Sequence, residues 1–195
     1  MKPKAIIFDL NGVFIHGQLL SERFLVDFGV TQSEFLPALN KVMNEVRLPN
    51  AKPVHECWLP YLQKWGIDMD EQKFLNYWFI AEDMTSLVGL AQKLKDQGYK
   101  LFLLSNNFRE RAEFYGKTFP FINELFEKTY YSWQTGFVKP DIRAYRAILK
   151  DQKLKPEDCV YFDDSLENVE SAKKLGINAF IFKDVEDVKE KINIL

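Results

Sequence analysis

Ala5-Ile6-Ile7-Phe8-Asp9-Leu10-Asn11-Gly12-Val13 reads as a strand that runs straight into a polar end. The unbroken apolar run from Ala5 to Phe8 is the pattern of a strand buried on both faces, as in the middle of a parallel sheet. Residues two apart on an extended chain point the same way, so Asp9 and Asn11 face one side. Gly12 then lets the backbone turn sharply. A carboxylate and an amide are thus presented together at the carboxyl end of a buried strand.

Working outward, Lys100–Leu104, Cys159–Phe162 and Asn178–Phe182 share that apolar character, and Thr129–Ser132 is a weaker strand candidate. Between them lie stretches with helical spacing. Leu87, Leu90, Ala91 and Leu94 precede a helix stop at Gly98; Asp141 can cap a helix carrying Ala144, Ile148 and Leu149; Val169, Ala172 and Leu175 precede Gly176. Strand alternating with helix predicts an α/β fold, a Rossmann-like parallel sheet of about five strands flanked by helices.

The interval between Asp9 and Ser105 breaks this rhythm. Its excess, about 70 residues, is too long for a loop in a compact domain. Phe24, Leu25 and Phe28, then Phe35, Leu39, Val42 and Val46, then Trp58, Leu62 and Trp65, then Phe74, Trp78 and Phe79 each recur at helical spacing. The reading is a core domain of residues 1–15 and 85–195, with a helical domain of residues 16–84 inserted over the sheet's carboxyl edge. In parallel sheets that edge binds ligands. Trp58, Tyr61, Trp65 and Trp78 fit the insertion's own core better than a ligand cage.

Chemistry gathers at the strand ends. Ser105, Asn106 and Asn107 close the second apolar run, a seat for phosphate oxygens at a helix start. Lys139 stands before Pro140, held extended and compactly charged. Asp163 and Asp164 follow the fourth run, and adjacent carboxylates there gain from a hard cation. A nucleophilic carboxylate, a hydroxyl, a lysine and a cation site are the parts that phosphoryl transfer uses.

In this order, as FDLNGV (8–13), LLSN (103–106), VKPD (138–141) and FDDSLEN (162–168), these motifs span the chain, and the pattern resembles the haloacid dehalogenase superfamily. Response-regulator receivers use a similar set but place the acidic pair first; here it comes last. The resemblance implies a hydrolase in which Asp9 forms a phosphoaspartate, with Ser105, Asn106 and Lys139 binding the transferring phosphoryl group. It implies Mg²⁺ as cofactor. Asp164 and Asp9 would bind it directly, Asp163 through a bound water, and Asn11 through its backbone carbonyl. The insertion would be a helical cap, and the substrate a small phosphorylated metabolite.

One position departs from the family's pattern. Phosphatases of this kind carry Asp where this chain has Asn11, and an amide has no proton to exchange. General acid–base groups contribute about 10²–10⁴-fold in rate. Three readings follow: a slow phosphatase, or one that recruits Glu167 or His16 as its acid; a dehalogenase-type hydrolase attacking carbon, against which the acidic pair counts; and an impaired relative that binds a phosphorylated ligand or a protein partner.

Bulk composition fits this picture. Lys and Arg number 26 against 28 Asp and Glu, so no charge excess points to nucleic acid or an anionic membrane. The two cysteines, Cys57 and Cys159, read as reduced thiols, and no apolar run approaches a membrane span, so the cytoplasm is the expected location. Arg109 and Arg111, at the start of the helix after Ser105, fit a solvated helix face better than the alternative, in which one of them reaches a substrate phosphate. The oligomeric state is not encoded in any of these features.

Overall fold

The computed structural model describes residues 3–80 and 82–193. Its first strand, β1, is Ala5–Phe8. After a tight loop come β2 (Ile15–Gly17) and four helices, α1 (Leu20–Phe28), α2 (Gln32–Val46), α3 (Val54–Lys64) and α4 (Glu71–Phe79), then β3 (Glu82–Met84). From there helix and strand alternate: α5 (Leu87–Asp96), β4 (Lys100–Ser105), α6 (Arg109–Thr118), α7 (Phe121–Leu125), β5 (Lys128–Tyr131) and α8 (Ser132–Thr135). The chain ends with α9 (Ile142–Asp151), β6 (Cys159–Asp163), α10 (Leu166–Lys173), β7 (Asn178–Ile181) and α11 (Val185–Asn193).

Five strands form one parallel sheet in the order β5-β4-β1-β6-β7. β1 is central, with Phe8 in register with Leu103 of β4 and Phe162 of β6. That placement explains the uninterrupted apolar run, since every residue of β1 is wholly buried. The period of two sorts its side chains onto two faces. Ile6 and Phe8 join Leu101, Leu103, Val160 and Phe162 in the core beneath α5, α6 and α11. Ala5 and Ile7 join Phe102, Leu104 and Tyr161 in the core beneath α9 and α10.

The four helices α1–α4 build a third core around Trp58, which is fully buried. Its ring meets Phe24, Phe35, Phe74 and Trp78 at centroid distances of 6.2, 5.2, 5.9 and 6.1 Å. This core continues into Phe108 at the start of α6, whose ring lies 5.1 Å from Trp78. The helical segment is therefore packed on the loop that follows β4, at the sheet's carboxyl edge.

Where this segment leaves and rejoins the sheet, β2 and β3 pair as a short antiparallel ribbon. The Thr85 N–H donates to the Phe14 carbonyl (2.8 Å) and its hydroxyl to the Val13 carbonyl (3.0 Å), closing the neck. This ribbon has no counterpart in the sequence reading. Ile15-His16-Gly17 and Glu82-Asp83-Met84 are too short and too polar to alternate.

Candidate active site

β1, β4 and β6 lie side by side, so the residues that follow them converge. Asp9, Asp163 and Asp164 each place a carboxylate oxygen within 4.8 Å of the others'. Lys139, just before α9, is almost wholly buried; its Nζ lies 2.9 Å from Asp9 Oδ1 and 2.6 Å from Asp163 Oδ2. Asn106 explains how a loop lysine is held there. Its carbonyl oxygen accepts from the Lys139 N–H (2.7 Å), and its amide donates to the Lys139 carbonyl (2.8 Å). The Asn106 carboxamide is thus committed to positioning the lysine loop.

The two buried carboxylates are treated differently by their surroundings. Asp163 Oδ1 accepts from the Ser165 N–H (2.8 Å) and from Asn168 Nδ2 (2.9 Å). Its Oδ2 accepts from Lys139 and from the Tyr161 hydroxyl. Burial raises the Asp163 pKa, but Lys139 and these hydrogen bonds outweigh it and hold the group ionised, below its ordinary value. Asp9 has less support. Its Oδ1 is held by the ion pair with Lys139. Burial pushes its pKa up to about 6, Lys139 opposing and Asp163 adding to the rise. The Ser105 hydroxyl, one residue beyond the β4 apolar run, is buried and without a hydrogen-bond partner.

Asp164 lies against the backbone of Gly12. Gly12 has φ +80°, and a Cβ there would come within 2.1 Å of Asp164 Oδ2. Only glycine allows both the left-handed backbone and this approach. Burial, then the neighbouring Asp163, raises the Asp164 pKa.

Asn11 points its amide elsewhere: Nδ2 donates to the Tyr115 hydroxyl at 2.7 Å. Tyr115 is buried under the Arg111 guanidinium, which lies 5.2 Å from its ring and is ion-paired with Glu82. Position 11 is therefore tied into an Asn11–Tyr115–Arg111–Glu82 cluster joining β1, α6 and β3.

A cavity of about 370 Å³ opens beside this cluster. Asn11, Gly12 and Asp164 form its floor, and Arg47, Glu82 and Arg111 stand among its walls with His16, Leu39, Met43 and Trp78. Arg111 is thus a cavity residue with little solvent exposure, which corrects its reading as part of a solvated helix face. Its signal was a tyrosine four residues on, Tyr115, on the same helical side. Arg47 had a fainter one, a charge between the apolar residues Val46 and Leu48. Trp78 both packs in the helical core and reaches the cavity. Glu167 is exposed and does not line it.

A model of the haloacid dehalogenase-like hydrolases matches residues 3–176. Sesquiterpene phosphatase astK of Aspergillus oryzae is 30% identical over 180 residues, 89% of this chain and 87% of that protein. D-ribitol-5-phosphate phosphatase of Bacteroides thetaiotaomicron is 26% identical over 105 residues, 51% of this chain and 50% of that protein. The chain spans about half or less of the length of the first relatives it matches. Among solved structures, a HAD family enzyme of Bacteroides thetaiotaomicron superposes with a TM-score of 0.83 at 24% identity, covering 97% of this chain and 98% of that one. The same enzyme in complex with magnesium and inorganic phosphate superposes at 0.76 with 23% identity, covering 93% and 94%. With the motifs in order, the sheet order that brings them together and a family match over most of its length, this chain belongs to the haloacid dehalogenase-like hydrolases.

Proposed function

We propose that the chain is a magnesium-dependent phosphohydrolase in which Asp9 attacks phosphorus and carries the phosphoryl group as a phosphoaspartate. The observation that carries this reading is the convergence of Asp9 Oδ1, ion-paired with Lys139, and the buried, unpartnered Ser105 Oγ at the carboxyl ends of adjacent strands. A buried hydroxyl without a partner is costly, and a phosphoryl oxygen beside Ser105 supplies the acceptor it lacks.

The donor set suits Mg²⁺, which takes hard oxygen ligands and few carboxylates. Asp9, Asp164 and the Asn11 backbone carbonyl would hold it. Asp163, whose oxygens already accept four donors, would act through bound water. When bound, the cation offsets charge on the phosphoryl oxygens. The chain's own groups do the rest. Lys139 orients Asp9 and neutralises the transferring group, and Ser105 donates to one of its oxygens. Residues 16–84 serve as the cap that excludes water and shapes the pocket for a small phosphorylated metabolite.

Asn11 limits the rate with alkyl phosphates, whose departing oxygen needs a proton that an amide cannot give. The fixed Asn11–Tyr115 contact favours a second reading, a phosphate-binding protein without useful turnover. Phosphate release from alkyl and aryl phosphates, with and without Mg²⁺, separates them. The phosphohydrolase reading expects metal-dependent release that Asp9→Asn abolishes. Release that survives Asp9→Asn or chelation contradicts it; no release, with phosphate and Mg²⁺ raising the melting temperature, supports the second reading.

A further inference from the structure

Neither Lys139 nor Ser105 lines the cavity, yet two arginines do. Arg111 is matched by Glu82. Arg47, at the carboxyl end of α2, forms no ion pair among the described residues, and its Nε is buried without a hydrogen-bond partner. Burial, then repulsion from Arg111, lowers its pKa, while Asp9 opposes the shift. An uncompensated guanidinium is thus kept desolvated within electrostatic reach of the nucleophile. Leaving such a group without an acceptor is costly, and an oxyanion in the cavity would relieve it. Guanidinium groups match phosphate in geometry as well as charge. The transferring phosphoryl group is already served by Lys139 and Ser105, so Arg47 addresses a second anion on the leaving side.

Asn11 restricts what that leaving side is. An alkoxide is too basic to depart without a proton, and position 11 has none to give. A phosphate monoester is different: its second pKa is about 6, so it departs as a stable anion at neutral pH without protonation. Beyond the arginines the cavity lining is mixed: Leu20, Leu39, Met43 and Trp78 supply its apolar part, beside the polar His16, Gln18 and Glu82.

Building on the phosphohydrolase reading, we propose that this site removes the terminal phosphoryl group of an organic diphosphate with an apolar tail, Arg47 and Arg111 holding the departing phosphate. Asp9 forms a bond to the terminal phosphorus. The bond from that phosphorus to the bridging oxygen breaks, and its electron pair stays on the bridging oxygen of the organic monophosphate. Water then bonds to phosphorus in the phosphoaspartate, the electrons of the broken phosphorus–carboxylate bond return to Asp9, and both water hydrogens leave on inorganic phosphate.

Octyl diphosphate, octyl phosphate and p-nitrophenyl phosphate, assayed with Mg²⁺ for phosphate release, test this on the full chain. The aryl ester reports whether Asp9-dependent hydrolysis occurs at all. The expected result is a kcat/KM for the diphosphate at least about 100-fold above that for the octyl monophosphate, the factor an absent general acid withholds. Arg47→Met should lower the diphosphate-to-aryl ratio by about tenfold or more, with Arg47→Lys falling between. Calorimetry gives a readout apart from turnover: methylenediphosphonate should bind wild type more tightly than inorganic phosphate, and Arg47→Met should remove the difference. If the aryl ester is hydrolysed through Asp9 but the two octyl compounds react equally, or Arg47→Met leaves both ratios unchanged, the diphosphate assignment is overturned and the phosphohydrolase reading stands. If none of the three releases phosphate, both fall.

Discussion

An amide at position 11 donates to Tyr115, and a carboxylate there could accept from the same hydroxyl, so Asn11→Asp keeps the local contact while adding an ionisable proton. Turnover of alkyl phosphates by Asn11→Asp should rise by about 10²–10⁴-fold, with a much smaller gain on aryl phosphates, as initial rates on the two classes will show. Equal gains on both would mean that position 11 does not act on the leaving oxygen. Asp9 gives a second test, in pH. Its carboxyl is raised to about 6 in the folded chain, above its ordinary value. Between the ordinary carboxylate range and pH 6 it is therefore ionised when unfolded but protonated when folded, so its contribution to stability falls as pH rises through that window. A cation needs the ionised form and competes with the proton. The rise in melting temperature caused by Mg²⁺ should be large at pH 7.5 and should shrink as pH falls below about 6; a rise unchanged between pH 5 and 8 would exclude Asp9 as a ligand. Lys139 carries a structural consequence as well. Removing it leaves Asp163 charged and buried with its cation lost, so Lys139→Met should cost about 3–5 kcal/mol in urea unfolding.

At the scale of elements, apolar periodicity carried most of the information. β1, β4 and β6 were legible because central strands of a parallel sheet are apolar on both faces, and β7, at one edge, because its run Ala179-Phe180-Ile181 is apolar throughout. The weaker β5, at the other edge, begins with an exposed Lys128 and a half-buried Thr129, which dilutes its pattern. β2 and β3 escaped notice because three polar-rich residues paired across some 65 intervening positions leave no local signature. The helices α1–α4 were readable from aromatic spacing, and their packing around one indole gives a direct test. Trp58→Ala should destabilise the chain by about 3–5 kcal/mol, read from denaturant unfolding followed by the fluorescence of the remaining tryptophans. A cost below about 1 kcal/mol would mean that the α1–α4 core does not depend on that ring.

For the molecule as a whole, sheet order does what sequence order cannot. β1, β4 and β6 are far apart in the chain, and a central β1 flanked by the other two gathers Asp9, Ser105, Lys139 and the Asp163–Asp164 pair at one edge. The motifs named those residues in advance. Sequence reading did not bring Tyr115, Glu82 and Arg47 together, because their roles come from elements meeting over the sheet, a relation that local spacing only faintly marks. On the proposed reading the molecule has two halves of a site: an edge that would hold a phosphoryl group and a cation, and helices α1–α4 that contribute the wall residues Leu39, Met43 and Trp78. The covalent step at Asp9 is the claim on which both halves depend. Brief exposure to acetyl phosphate with Mg²⁺, acid quenching, borohydride reduction and peptide mass mapping should convert Asp9 to homoserine within the peptide holding residues 5–13. Phosphate released at the same rate with Asp9 unmodified, or modification at another carboxylate, would contradict it.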